Sequence, residues 1–395
     1  MRLAALALLT LGCTRAPIGG GVVVPGTPPS FPDVELPAVE DLPEQVEPPD
    51  PFVAWANGED LDATDWDRRA SELRVLYQHY AFGWSADPVT AELIERSDDG
   101  SGGERLVHLR GRFGPDDGDE RELLVALWLP DGAPRAVVLG LNKCGNASVR
   151  EGALDAGAWV QEDCAPEPGS RSTYWNIDAA LAAGFGVATV HQSEFHPDDP
   201  SATGGMLDWP LPLAEEDDRW GVIGTWAFGL SRAVDLLDDE TGGAPVVVMG
   251  HSRRGKTALW AAAQDARIDG VWAHQSGTGG ASLSRHREGE TIGAMTTLFP
   301  HWFDDVFPAF DGQEARLPFD QHLLLALAAP RPVRVSDGED DAWADPEGAR
   351  QAVELSVPVF DALGGPEPVW ALRPGVHEVT PQDWVDAIDW LDAHF

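Results

Sequence analysis

The chain has 395 residues, 43% of them hydrophobic, which is enough to bury a large core. Sixty-six Asp and Glu against 27 Lys and Arg leave a formal net charge of −39. Acidity on that scale argues against nucleic acid and anionic membrane surfaces as partners and favours solubility, but it names no substrate.

The first thirteen residues, MRLAALALLTLGC, carry one arginine, an apolar run too short to span a bilayer, and then Gly12-Cys13. This is the pattern of an export signal. Gly12-Cys13 predicts lipoprotein processing with a lipidated Cys13, although Thr10 stands where leucine is usual; a plain signal peptide is the alternative. The expected location is a cell-surface or periplasmic lipoprotein, otherwise a secreted protein, with membrane attachment through Cys13 only. Thr14 to Asp50 is rich in Pro, Gly and acids without a period of 2 or 3.6, and reads as a disordered tether. Residues 51–395 are then expected to form one domain, with a monomer favoured.

From Pro51 on, helical and strand patterns alternate. Trp66 to Tyr80 has apolar residues at helical spacing. Arg105–Phe113 and Arg121–Leu129 read as an antiparallel pair joined by an acidic Gly-Pro-Asp region. Ala136–Asn142 and Gly184–His191 are short β-rich runs with a helix at Ile177–Ala183 between them. A helical stretch follows within Leu211–Leu237, then the strand Val246–Met249. Gly270–Gln275, Pro332–Gly338 and Pro368–Pro374 continue the strand series. Thr380-Pro381-Gln382-Asp383 opens a last helix with a capping box, placing Trp384, Ile388 and Leu391 on one face. Strands separated by helices predict an α/β fold, a mostly parallel central sheet sandwiched between helices. No internal repeat is evident.

Cys144 and Cys164 stand in loop-like surroundings, and in an exported protein such a pair is expected to close a disulfide. His191 and His196 are five apart, wrong for a pair of ligands on one helix face, and read as surface or core histidines.

The strongest signal is Gly250-His-Ser-Arg-Arg-Gly-Lys256, set between an apolar strand and an Ala-rich helix. A serine at a sharp strand-to-helix turn is the setting of a nucleophile elbow, and Ser252 is the candidate nucleophile. The usual second glycine comes one place late, at Gly255; a serine that merely caps the helix is the bland alternative. Arg253, Arg254 and Lys256 cluster there against the overall charge and against the positive end of the helix dipole, which suits an oxyanion or a polar substrate. In this fold class the chain order is Ser, acid, His. His377 lies in a Gly-Val-His-Glu loop between the last strand and the last helix, and is the candidate base. Asp337, Glu339, Asp340 and Asp341 compete for the acid; Asp341, three places after Gly338, is the preferred one and Asp340 the next.

The stretches GHSRRGK at Gly250, QSGTGGASLSRHREGETI at Gln275, FPHWF at Phe299, DQHLLLALAAPRP at Asp320, EDDAWADPEGA at Glu339 and GVHEVTPQDW at Gly375 together resemble the glucuronoyl esterases of carbohydrate esterase family 15. The likeness runs from about Trp66 to the C-terminus. It implies an α/β-hydrolase that cleaves (4-O-methyl-)glucuronate esters linking glucuronoxylan to lignin alcohols, without metal or organic cofactor. It also implies Arg253 as the oxyanion residue, through its main-chain N–H and guanidinium. Lys256 and Glu290 are then expected to contact the sugar, with Trp343 against the uronate ring. Trp302 is a lesser candidate for stacking.

Two departures from the family pattern stand out. His251 replaces the cysteine usual before the nucleophile and is expected to serve packing. Gln275 stands where many members carry a glutamate that can act as triad acid, and an amide cannot balance an imidazolium, so the duty should fall on Asp341. The rivals are an acetylxylan or other short-acyl esterase on the same fold, and a non-catalytic cell-surface glycan-binding lipoprotein.

Overall fold

A computed structural model describes residues 36–84, 89–99, 104–114, 120–209 and 219–395; the export signal, Cys13 and the start of the expected tether lie outside them. One nine-stranded sheet runs through the described residues in the order β1-β2-β3-β5-β4-β6-β7-β8-β9. Its strands are β1 (Glu92–Asp98), β2 (Arg105–Phe113), β3 (Arg121–Leu129), β4 (Val137–Asn142), β5 (Gly186–His191), β6 (Val246–His251), β7 (Ile268–His274), β8 (Val333–Gly338) and β9 (Val369–Arg373). From β5 to β9 every neighbouring pair is parallel, and the β1–β3 meander joins antiparallel through Ala126–Trp128 against Val187–Thr189.

The central strands VVLGLN, GVATVH and VVVMGH are buried along their whole length, so continuous apolar runs rather than alternation are what a sheet covered on both faces requires. One face carries the helices Trp66–Tyr77, Val222–Thr241, Arg253–Gln264 and Pro346–Leu363. The other carries Ile177–Ala182 and Pro381–His394, with Trp175, Trp272 and Trp384 packed between them and the sheet. The last helix has the expected capping box, Asp383 N–H donating to Thr380 and the Asp383 carboxylate accepting from Thr380 N–H. This cap fixes where the chain leaves β9 for the helix, and hence the loop that carries His377.

The expected tether is corrected by its described part. Residues 36–50 lie against the body, with Val39 and Leu42 buried in the main core. A proline-rich strap makes few bonds of its own, so its carbonyls are free for side chains of the body. Tyr80 Oη donates to Pro37 O (2.7 Å), Arg316 to Glu40 O and Leu42 O, and His322 Nε2 lies 2.8 Å from Pro49 O.

The first helix becomes a π-turn at Gln78–Phe82, and β1 was not expected from the sequence. His191 and His196 are both buried. Cys144 and Cys164 are bonded to each other just beyond β4, with their Cα atoms 5.5 Å apart.

Candidate active site

The parallel strands end on one side of the sheet, and the residues of interest gather there. β6 stops at His251 and the next helix starts at Arg253, leaving Ser252 between them at φ 60°, ψ −130°. A residue with a side chain avoids this region unless its surroundings impose it, which is the strained geometry of an elbow. Both glycines are needed for contact. A Cβ on Gly250 would lie 2.0 Å from Arg254 O. One on Gly255 would lie 2.8 Å from Ser276 Cβ and 3.0 Å from Gly250 O. The late glycine therefore sits where the helix passes closest to β6 and to the chain after β7. Arg254, which takes the usual glycine slot, turns to Gln192 Oε1 (3.1 Å).

The four competing acids separate by burial and partner. Glu339 and Asp340 are exposed. Asp337 is buried with Oδ2 accepting from Trp370 Nε1 (3.0 Å). Asp341 is 3% exposed and its Oδ2 lies 2.6 Å from His377 Nδ1. With Nδ1 committed to a carboxylate, Nε2 is the nitrogen left to exchange a proton with a nucleophile. The His377 ring packs against that of His251, the residue before Ser252, with centroids 4.5 Å apart.

The other nearby imidazoles are occupied. His274 faces Ser336 Oγ (2.8 Å) with Nδ1 and Glu378 O (2.9 Å) with Nε2. His251 is buried with Nε2 3.0 Å from Gln275 Oε1, and burial, reinforced by His274 and His377, holds its pKa well below the usual histidine range. His251 thus has a hydrogen-bonding part as well as the expected packing one.

Arg253 is held from below and beside. Its guanidinium lies 4.2 Å from the Trp302 ring centroid and 4.8 Å from that of Phe299, two rings that stack on each other at 3.8 Å. Nη1 donates to Asp198 Oδ2 at 2.5 Å. Asp198 also accepts from Trp302 Nε1 (2.9 Å) and Gln161 Nε2 (3.2 Å), and its Oδ1 lies 3.0 Å from His301 Nε2. Burial would raise the pKa of Asp198, but these partners and the Arg253 charge outweigh it and keep the carboxyl ionised well below the ordinary range. Trp302 is 1% exposed, so it carries Arg253 and has no free face for a sugar, contrary to expectation.

Lys256, Glu290 and Trp343 form a relay. Lys256 Nζ donates to Ser276 O (2.8 Å), to Thr278 O and to Glu290 Oε2 (2.5 Å). An ammonium has three N–H groups, and all three are engaged. Glu290 Oε1 in turn accepts from Trp343 Nε1 (3.1 Å). Lys256 and Glu290 are 1% and 4% exposed, whereas Trp343 is 41% exposed. The buried pair orients the indole, and the indole faces solvent. Burial lowers the Lys256 pKa while Glu290 opposes the shift.

Asp198 and Gln161 were not picked out from the sequence. Nothing in HPDDP separates Asp198 from Asp199 until Arg253 is brought beside it.

A family model for glucuronyl esterases of fungi matches residues 176–364. Carbohydrate esterase MZ0003, from an unknown prokaryotic organism, is 35% identical over 393 residues, covering 88% of this chain and 89% of its own. The chain belongs to carbohydrate esterase family 15. Two solved structures of this family show how far the likeness extends. A promiscuous CE15 esterase from a marine bacterial metagenome superposes with a TM-score of 0.80 at 33% identity, covering 90% of this chain and 99% of that one. A glucuronoyl esterase from Solibacter usitatus gives 0.76 at 30% identity with the same coverage. Family membership makes the chain a carbohydrate esterase with the α/β-hydrolase fold.

Proposed function

We propose that the chain is a serine glucuronoyl esterase that hydrolyses (4-O-methyl-)glucuronate esters joining glucuronoxylan to lignin alcohols, through an acyl-enzyme on Ser252. The observation that carries this reading is the His377–Asp341 pair at 2.6 Å, with the His377 ring packed on His251, the residue before a serine held at φ 60° between strand and helix. His377 Nε2 takes the proton of Ser252 as Oγ attacks the C6 carbonyl of the uronate. Asp341 balances the imidazolium that forms. The negative oxygen of the tetrahedral intermediate is met by the Arg253 main-chain N–H, at a helix start where such donors lack intrahelical partners, and by the Arg253 guanidinium. Each such donor is worth about 3–4 kcal/mol in the transition state. His377 then protonates the departing alcohol oxygen, and a water activated by the same imidazole releases glucuronate.

Trp343 supplies the wall for the uronate ring, placed by Glu290 and Lys256. That exposed indole favours a sugar acid over a short acyl group as the part recognised. Turnover of benzyl glucuronate against p-nitrophenyl acetate tests the substrate. Preference for the glucuronate ester supports the reading, and a strong preference for acetate assigns the chain to the short-acyl rival. We further propose that the chain is exported and lipidated at Cys13; loss of fatty-acyl labelling in Cys13→Ser is the expected result, and unchanged labelling contradicts it.

A further inference from the structure

The loop Gly375–Glu378 delivers His377, and one buried side chain grips it on both sides of the histidine. Gln275, at the end of β7, is 1% exposed and has a φ of 48°. Its Nε2 donates to Val376 O (2.9 Å) and its Oε1 accepts from Glu378 N–H (2.9 Å). These are the residues immediately before and after His377. Oε1 also lies 3.0 Å from His251 Nε2. An amide oxygen only accepts, so His251 presents Nε2–H to it. There is no slack on the far side. A Cβ on Gly338 would lie 2.6 Å from Gln275 Nε2, 2.6 Å from Gly375 O and 3.0 Å from Val376 O. The chain that runs on to Asp341 is also bonded to the same loop, through Asp340 N–H to Gly375 O at 3.0 Å.

We propose that Gln275, backed by His251, is the positioning residue for His377: an amide clamp that sets the imidazole relative to Ser252 and Asp341. The proposal rests on the esterase reading of those three residues. An amide meets its chemistry without taking up or losing a proton. One atom must accept from Glu378 N–H and His251, and the other must donate to Val376 O. An ionised carboxylate offers acceptors at both ends and would face Val376 O with no proton between two buried oxygens, a costly arrangement, while a glutamate that took up a proton could not balance an imidazolium. The position that carries glutamate in many family members therefore holds the base's loop in this chain, and Asp341 alone serves as the acid.

The test uses the whole protein, with benzyl glucuronate turnover and the 1H NMR resonance of the proton shared by His377 Nδ1 and Asp341. Gln275→Met keeps the volume and removes the hydrogen bonds. Displacement of the base is expected to lower kcat about 100-fold and to shift or broaden the resonance. KM should change by less than about threefold, because the side chain touches no substrate. Gln275→Glu should also lower kcat, and it should not rescue Asp341→Asn. Rescue of Asp341→Asn by Gln275→Glu to within about tenfold of wild type overturns the proposal, since the position would then serve as an acid. An unchanged kcat and resonance in Gln275→Met overturn it too. If Gln275→Met fails to fold, the glutamate variant and the double variant still decide. The resonance needs no substrate, so a wild type that hydrolyses no ester sinks the esterase reading while the clamp is still judged by NMR.

Discussion

Ser252 and Asp337 illustrate how single residues are set by what surrounds them. Ser252 keeps a backbone conformation that side chains disfavour, because the glycines at 250 and 255 let Arg254 O and Ser276 close in around the turn. Asp337, four residues before Asp341, is fully buried. Burial pushes its pKa up to about 8; the Trp370 hydrogen bond opposes the shift, and Asp341 and Asp345 add to it. The folded protein thus holds a proton that the unfolded chain releases near the ordinary aspartate value of 3.8. The stability this contributes is full below the unfolded pKa and is lost as pH rises through about 8. Asp337→Asn keeps an acceptor for Trp370 and removes the titration. Its melting temperature should therefore fall less than wild type between pH 5 and 8, and parallel melting curves for the two proteins would contradict this.

Among elements, the strap at residues 36–50 shows the limit of reading composition. Prolines and acids suggested a free tether, yet Leu42 is 1% exposed and its carbonyl is taken by Arg316. Leu42→Ala should cost about 2–3 kcal/mol by urea unfolding, within the range for buried leucines; a cost near zero would mean the strap is held by its carbonyls alone. The central strands were legible because a sheet covered on both faces needs unbroken apolar runs. β1 was not, since ELIERSD is an exposed edge whose charges show no alternation; Arg96 instead bonds to Glu240 on a helix. Such charge guards an open edge against pairing. Ser252, His377 and Asp341 were legible from element order and loop position. Asp198, and the part that Gln275 plays, were not, because their partners lie 55 and 103 residues away and only the folded sheet brings them together. The weight given to Trp302 failed for a related reason: composition cannot tell an aromatic that faces a sugar from one that supports an arginine.

The whole molecule carries its charge of −39 around a site whose cations are individually restrained. Asp198 holds Arg253 and Glu290 holds Lys256, so local positive charge survives in an acidic field by pairing. Self-repulsion on this scale destabilises the compact state and is screened by salt, with a Debye length of about 8 Å at 0.15 M. The melting temperature should rise as sodium chloride goes from about 10 mM to 0.3 M and then level off. A fall over that range would mean that attractive surface pairs outweigh the net repulsion. The ends of the parallel strands carry Ser252, His377 and the buried Asp341. The most direct measurement is glucuronic acid release from benzyl glucuronate by wild type, Ser252→Ala and Asp341→Asn. Turnover by wild type, with kcat lower by about a thousandfold or more in both variants, is the predicted result. A Ser252→Ala protein that hydrolyses the ester at the wild-type rate would contradict it.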